Sequence, residues 1–200
     1  MTSQPDSDPG LTASLNDTRS VVLVEGISDK LALETLARRR GRHLRAEGVV
    51  VVSMGGSKSV GRFLDLYGPL GAGLRLAGLC DAAEEGDFVR GLERAGLGSN
   101  LNRAALESLG FYVCVDDLED ELVRALGVEA VEEVIAAQGE LGPLRIFQRQ
   151  PAWQGRPREA QLRRFFGTHG GRKIQCAPLL VDALDLSRVP RPLDGVLHHV

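Results

Sequence analysis

The chain has 200 residues, of which 43% are hydrophobic and 26% charged, a composition typical of a globular protein with a sizeable core. Its formal net charge of −3 excludes a protein that binds nucleic acid through bulk positive charge alone. No apolar run approaches the roughly 20 residues of a membrane-spanning helix, and the N-terminus does not resemble a signal peptide. We therefore expect a cytoplasmic protein that has no contact with a membrane.

The three cysteines are far apart in the sequence and show no metal-ligand spacing: they are Cys80, Cys114 and Cys176. We interpret them as small buried hydrophobic residues in a reducing compartment.

The first 18 residues are rich in Ser, Thr, Asp, Pro and Gly, which predicts a disordered leader at 1–18. The apolar run at 21–24 then ends at Glu25 and Gly26, which predicts a strand buried on both faces. A helix is predicted from Ser28 to about Arg40.

The same alternation of strand and helix continues along the chain. Strands are predicted at 49–52, 74–79 and 111–115, with helices after the first and second of them. This order predicts an α/β fold, a parallel β-sheet flanked by helices. Because such crossovers are almost always right-handed, all strands end at one edge of the sheet.

After about residue 127 the pattern changes from alternating strands and helices to helices alone. Helices are predicted at 128–138, 158–166 and 173–184, with an irregular stretch at 139–157 and a tail that contains Pro190 and Pro192. The predicted organisation is a leader at 1–18, an α/β domain at 19–127, and a helical C-terminal extension and tail at 128–200.

Acidic residues follow three of the predicted strands. Glu25 ends the first strand with Asp29 four residues later, Asp81 ends the third, and an acidic run at 116–121 follows the fourth. Ligands of parallel sheets bind at this edge, and converging carboxylates repel each other unless a cation lies among them. Mg²⁺, or Mn²⁺ in its place, suits such oxygen ligands, and two ions can assist phosphoryl displacement.

The segment 21–29 resembles the first motif of the TOPRIM domain, a Rossmann-like fold shared by topoisomerases, primases and a set of nucleases. The Gly55-Gly56 turn and Asp81 fall where that domain has them.

Later segments are most similar to the TOPRIM domain of the OLD (overcoming lysogenization defect) family of nucleases. These segments are the Leu118-Glu119 pair, residues 147–152 and the Arg172-Lys173 pair, so that the resemblance covers roughly 19–190. Family nucleases usually carry an ATPase domain before the TOPRIM domain. These 200 residues have no GxxxxGK[ST] run, so we expect any ATPase to be a separate subunit.

The resemblance implies a role for each matching residue. Glu25 would be a metal ligand and the possible general base, and Asp81 would bind the same first metal. Asp29 and Glu119 would hold a second metal, and Lys173 would stabilise charge on the phosphate. The implied activity is that of a Mg²⁺-dependent endonuclease, a phosphodiester hydrolase.

The third motif departs from the family pattern. It is usually Asp-x-Asp, but here Ala83 stands at the second acidic position and cannot bind metal. Glu84 or Glu85 is an alternative ligand, as is Asp116 in the later acidic run. The opposing interpretation is that acidic residues in a first helical turn only stabilise the helix dipole.

Basic residues are dense between 145 and 173, where Glu159 is the only acidic residue. Such a run can follow a phosphate backbone, and Trp153 can stack on a base. We expect nucleic-acid contacts, to DNA rather than RNA, from these four residues: Arg149, Arg163, Arg164 and Arg172. The alternative is a basic face that only balances the acidic edge.

The stretch 55–59 (GGSKS) is equally consistent with a phosphate cradle and with a tight turn. Two rival functions also stay open. One is a noncatalytic metal- and DNA-binding module that partners a separate ATPase subunit, and the other is a hydrolase or nucleotidyl transferase for small phosphate compounds. Whether the protein forms a homodimer is left open by the sequence.

Overall fold

The computed structural model describes residues 17–169 and 171–200. All but two residues of the predicted leader at 1–18 lie outside the described residues. Within the described part of the chain, no helix is long and apolar enough to cross a membrane.

Four parallel strands form one sheet in the order β2-β1-β3-β4. They are β1 (Ser20–Val24), β2 (Val49–Ser53), β3 (Arg75–Cys80) and β4 (Phe111–Val113). In register, Val24 lies opposite Leu79 of β3, so that the chain leaves both central strands side by side. The predicted parallel sheet is therefore confirmed.

Ten α-helices surround this sheet in the described part of the chain. In chain order they are α1 (Ile27–Arg39), α2 (Val60–Tyr67), α3 (Glu85–Arg94), α4 (Arg103–Ser108), α5 (Leu118–Leu126), α6 (Val128–Ala137), α7 (Leu141–Gln148), α8 (Arg158–Phe166), α9 (Arg172–Ala183) and α10 (Arg191–His199). Single 3₁₀ turns occur at Ser57–Ser59, Ala82–Glu84 and Leu186–Arg188.

Successive side chains of the strands pack into two separate layers, as strand geometry requires. Val21 and Leu23 face a core formed with α2, α3 and α4. Val22 and Val24 face the opposite core, which contains α1 and the helices after β4. We call these the α2–α3 face and the α1 face.

Two predictions about the C-terminal region are wrong. The stretch 139–157, predicted to be irregular, contains α7, and the predicted tail contains α10. Each of these two helices contains a proline at a position where a helix tolerates it. Pro143 lies in the first turn of α7 and Pro192 at the start of α10, where no intrahelical N–H is needed.

The helix α10 closes the outer end of the sheet by packing on β3 and β4. A Cβ atom on Gly195 would lie 2.2 Å from the Tyr112 ring, so the absence of a side chain allows this approach. Residues on both sides of 127 share the α1-face core, for example Leu36 and Leu180. The core is therefore continuous across residue 127, and the division of the chain at 127 is a proposal about sequence organisation.

Candidate metal centre

Three carboxylates meet where the two central strands end. Glu25 directly follows β1, Asp81 directly follows β3, and Glu84 lies in the 3₁₀ turn after it. One oxygen from each of the three lies within 4.8 Å of the other two. This spacing allows the three oxygens to bind one cation, and we call them the acidic cluster.

The main chain of Glu25 is fixed by the turn after β2. The amides of Gly55 and Gly56 donate to the carbonyl oxygen of Glu25 over 3.0 and 3.2 Å. Both glycines have positive φ, 71° and 123°, which a residue with a side chain rarely adopts. Gly55 and Gly56 therefore form a tight turn, and their two amides are occupied.

A second acidic group lies beside the cluster. Asp29 is in the first turn of α1 and accepts a hydrogen bond from the Gly26 amide over 2.7 Å. Burial, together with the charges of Glu119 and Glu25, raises the pKa of Asp29 to about 6, although the Gly26 hydrogen bond and Lys173 oppose this.

The helices α5 and α9 bring Glu119 and Lys173 together. Glu119 is only 3% exposed, and its Oε2 accepts a hydrogen bond from Lys173 Nζ over 2.8 Å. Burial lowers the pKa of Lys173, but the charge and hydrogen bond of Glu119 and the charge of Asp117 outweigh it, so that the pKa is raised. The side chain of Lys173 is therefore a protonated, positively charged ammonium group at this edge of the sheet.

Two members of the acidic cluster, Asp81 and Glu84, hold their protons more tightly than isolated carboxylates do. Burial, followed by the negative charges of Asp29 and Asp117, raises the pKa of Asp81 to about 8. Burial and the neighbouring Glu25 also raise the pKa of Glu84. A bound cation would remove this penalty, because it stabilises the charged forms.

Two buried oxygens support the fit of a divalent cation. Oε2 of Glu84 and Oε1 of Glu119 are buried and have no hydrogen-bond partner among the described residues. A buried acceptor without a partner is costly, and a hard cation or its bound water can satisfy it. The donor set, carboxylate oxygens from three elements, suits Mg²⁺ or Mn²⁺.

The three alternative ligands have different positions. Glu84 belongs to the acidic cluster, whereas Glu85 forms an ion pair of 2.8 Å with Arg103. Asp116 forms an ion pair of 2.8 Å with Arg163. Glu84 is therefore the residue that can compensate for Ala83, which is itself exposed.

The predicted basic run is largely neutralised by carboxylates from earlier in the chain. Arg163 bridges Asp116 and Asp117 at the start of α5. Arg172 is 8% exposed, pairs with Glu140 and lies 3.9 Å over the Phe165 ring. The prediction that Arg172 contacts phosphate is therefore not supported, because its side chain is buried and already paired with Glu140.

A basic cleft remains next to Lys173. It has a volume of roughly 410 Å³ and is lined by Asp117, Trp153, Arg156, Ala160, Arg163, Arg164, Gly167 and Lys173. Arg164 is exposed, and the Arg156 guanidinium lies 5.6 Å from the centre of the Trp153 ring. Arg149 is exposed but is not among the residues lining this cleft.

The sequence interpretation missed Asp117, which lines the basic cleft and whose charge raises the pKa of Asp81. Its side chain caps α5 by accepting from the Asp120 amide over 2.8 Å, and it also binds Arg163. An Asp directly before the first residue of a helix is a common N-cap signal, and that pattern could have separated Asp117 from its acidic neighbours.

Comparisons with known proteins bear on the domain and the fold that hold these residues. Residues 18–82 match the family model described as the overcoming lysogenization defect protein-like TOPRIM domain. Residues 18–82 therefore form an OLD-like TOPRIM domain. No protein of curated function matches its sequence significantly.

The OLD-like fold extends over nearly the whole chain. The C-terminal region of the Xanthomonas campestris pv. campestris OLD protein superposes with a TM-score of 0.72 at 24% identity, covering 94% of each chain. The C-terminal region of the Burkholderia pseudomallei OLD protein gives a TM-score of 0.70 at 20% identity, covering 91% of this chain and 96% of that one. The helices after the sheet thus belong to the shared fold.

Proposed function

We propose that this OLD-like TOPRIM protein is a Mg²⁺- or Mn²⁺-dependent endonuclease that hydrolyses phosphodiester bonds, with DNA favoured over RNA. The observation that carries the proposal is the acidic cluster, in which oxygens of Glu25, Asp81 and Glu84 lie within 4.8 Å of one another. The basic cleft beside it supplies a surface for a phosphate backbone.

The acidic side chains would divide the work of the reaction. Glu25, Asp81 and Glu84 would hold one cation, and Asp29 with Glu119 would hold a second. A divalent cation supplies charge stabilisation at the phosphate and lowers the pKa of a bound water. Glu25 would position the attacking water or accept its proton as the water oxygen attacks phosphorus and the bond to the leaving oxygen breaks.

Lys173 would place fixed positive charge where the phosphate enters. Its Nζ is held by Glu119 at 2.8 Å, and Lys173 also lines the basic cleft. Such preorganised charge is worth more in a partly buried site than in water. Lys173 would therefore stabilise the negative charge that develops on the phosphate oxygens.

The basic cleft fits a nucleic-acid strand better than a small anion. It combines exposed guanidinium groups, such as Arg164, with the aromatic Trp153. Arginines track phosphates, and an aromatic ring gives a base a surface on which to stack. Arg163 would contribute after exchanging one of its two carboxylate partners for a phosphate.

The proposal is tested by nicking of supercoiled plasmid with Mg²⁺ or Mn²⁺. We expect activity that EDTA abolishes. Glu25→Gln should lower it by at least about 100-fold, because this change removes the charge of the side chain but keeps its size and shape. The matched control is Glu133→Gln, an exposed carboxylate of α6, which should keep wild-type activity. Metal-independent nicking, or nicking that Glu25→Gln leaves intact, would refute the proposal.

One observation favours a second candidate, a noncatalytic metal- and DNA-binding module. Ala83 offers no ligand at the usual acidic position, so that the cluster depends on Glu84 instead. In this case Mn²⁺ would bind, and DNA binding would weaken with salt, but no plasmid would be cut. Turnover of free nucleotides without plasmid cleavage would instead indicate an enzyme for small phosphate compounds.

A cytoplasmic location and a separate ATPase subunit as partner belong to both proposals. A homodimer is an additional possibility to be tested by light scattering. These assignments extend the resemblance to OLD nucleases.

A further inference from the structure

A second basic surface lies on the α2–α3 face of the sheet, opposite the basic cleft. It surrounds a depression of roughly 450 Å³ lined by Lys58, Val60, Asp87, Arg90 and Arg94. We call Lys58, Arg90 and Arg94 the α2–α3 patch. All three side chains are exposed, and the metal chemistry proposed above makes no use of them.

The charge of the α2–α3 patch is only partly balanced. Asp87 forms an ion pair with Arg90 and accepts a hydrogen bond from Ser57 Oγ over 3.0 Å. No carboxylate of the described residues lies within 4.0 Å of a charged nitrogen of Lys58 or Arg94, so three cations share one anion. The surface is therefore locally positive in a chain whose formal net charge is −3.

The helices α2 and α3 pack closely against each other next to the patch. The Arg94 guanidinium lies across Gly61, where a Cβ atom would come within 3.0 Å of it. Gly91 of α3 likewise packs against Val60 of α2. Arg90 and Arg94 thus stand on one helix, α3, which packs on α2, and Lys58 stands in the 3₁₀ turn directly before α2.

The location of the patch relates it to the acidic cluster. Lys58 follows the Gly55-Gly56 turn that binds the main chain of Glu25, and Asp87 is three residues after Glu84. The basic cleft lies on the α1 face, where α5, α8 and α9 pack. The acidic cluster, at the edge of the sheet, is consequently flanked by positive charge on both faces.

We propose that the α2–α3 patch binds phosphates of the same nucleic acid on the other side of the bond that is cut. This inference rests on the proposed function and adds the path of the substrate. The backbone runs from the basic cleft, over the acidic cluster, to the α2–α3 patch. Positive charge on both sides offsets the repulsion that carboxylates exert on a phosphate backbone.

The test measures binding rather than cleavage. A fluorescent duplex of about 30 base pairs, roughly three helical turns, is titrated with protein in Ca²⁺ over a range of salt concentrations. The patch variant combines Lys58→Gln, Arg90→Gln and Arg94→Gln. The control combines Arg19→Gln, Arg38→Gln and Arg45→Gln, three exposed cations that also change the net charge by three.

We expect the patch variant to bind about 10- to 100-fold more weakly at low salt. The slope of log K against log salt should become shallower by about two to three, because each lost phosphate contact removes about 0.9 from it. The control should keep the wild-type slope. Thermal unfolding of each variant shows whether it is folded. The single change Lys58→Gln, which is less disruptive, should lower the slope by about one.

The outcomes separate the two proposals. Equal slopes for the patch variant and the control, with tight binding by the wild type, overturn the path but leave the proposed function standing. Failure of the wild-type protein to bind the duplex overturns both. Competition by inorganic phosphate at the patch without any loss of duplex binding would assign it to a small phosphate compound and also overturn the path.

Discussion

The folded structure disfavours the charged form of the Asp81 carboxyl group. Burial, followed by the charges of Asp29 and Asp117, raises its pKa from 3.8 to about 8. The folded protein therefore holds this proton more tightly than the unfolded chain does. The resulting stabilisation is fully present below about pH 4 and is lost as the pH rises through 8.

The substitution Asp81→Asn should therefore stabilise the metal-free protein at high pH. At pH 9 we expect the free energy of unfolding to rise by roughly 1–3 kcal/mol, less than the full pKa shift implies because Asp81 is partly solvated. At pH 4 the variant should equal the wild type. Urea denaturation in EDTA at both pH values measures this, and a variant that is less stable at pH 9 would contradict it.

Lys173 and Glu119 form a pair in which one partner is almost completely buried. Replacing Lys173 by Met leaves the Glu119 charge buried without its counterion, which should cost roughly 1–3 kcal/mol at pH 8. The double variant Lys173→Met/Glu119→Gln should recover most of this loss. Chemical denaturation of the four members of the cycle tests the coupling, and simple additivity of the two single changes would disprove it.

The sequence could locate the acidic cluster but could not choose its third member. Glu84 and Glu85 are adjacent at the start of a helix, so composition and spacing treat them alike. Arg103 decides between them, because it pairs with Glu85 and leaves Glu84 to turn toward Glu25. A contact across 18 residues is set by packing, which a local pattern does not encode.

At the scale of elements, the sheet was predictable because its strands are short apolar runs separated by glycine turns. Cys80 and Cys114 are buried, as their apolar surroundings indicated. The helices α7 and α10 were not predicted, since each contains a proline near its start. Their positions depend on the fit of the helix to the α1-face core, for example through Leu144 and Leu197.

The role of α10 as part of the core can be tested with two glycines. Gly195→Ala should destabilise the protein by roughly 1–3 kcal/mol, because the new methyl group would overlap the Tyr112 ring. Gly142→Ala in α7 is the control: its Cβ meets no atom within 4 Å, and alanine favours helix by up to about 1 kcal/mol.

Thermal unfolding of both variants provides the measurement. A stable Gly195→Ala protein would mean that α10 does not pack closely on β4. Destabilisation by both changes to the same extent would mean that glycine is needed in these helices for a reason other than space.

At the scale of the whole molecule, a chain with little net charge separates its charges by position. Carboxylates collect at the edge of the sheet, the basic cleft lies on one face, and the α2–α3 patch lies on the other. The sequence showed the basic run at 145–173 but not its partners. Arg145, Arg158 and Arg163 are paired with carboxylates that precede the run, so only part of its positive charge is left without a carboxylate partner among the described residues.

The proposed activity depends on a cation bound at the carboxyl ends of β1 and β3. The direct measurement is anomalous diffraction from crystals soaked in Mn²⁺ near pH 8. We predict a peak at about 2.1 Å from oxygens of Glu25, Asp81 and Glu84. Crystals that show Mn²⁺ bound elsewhere, with these three carboxylates in place and no peak between them, would contradict the account.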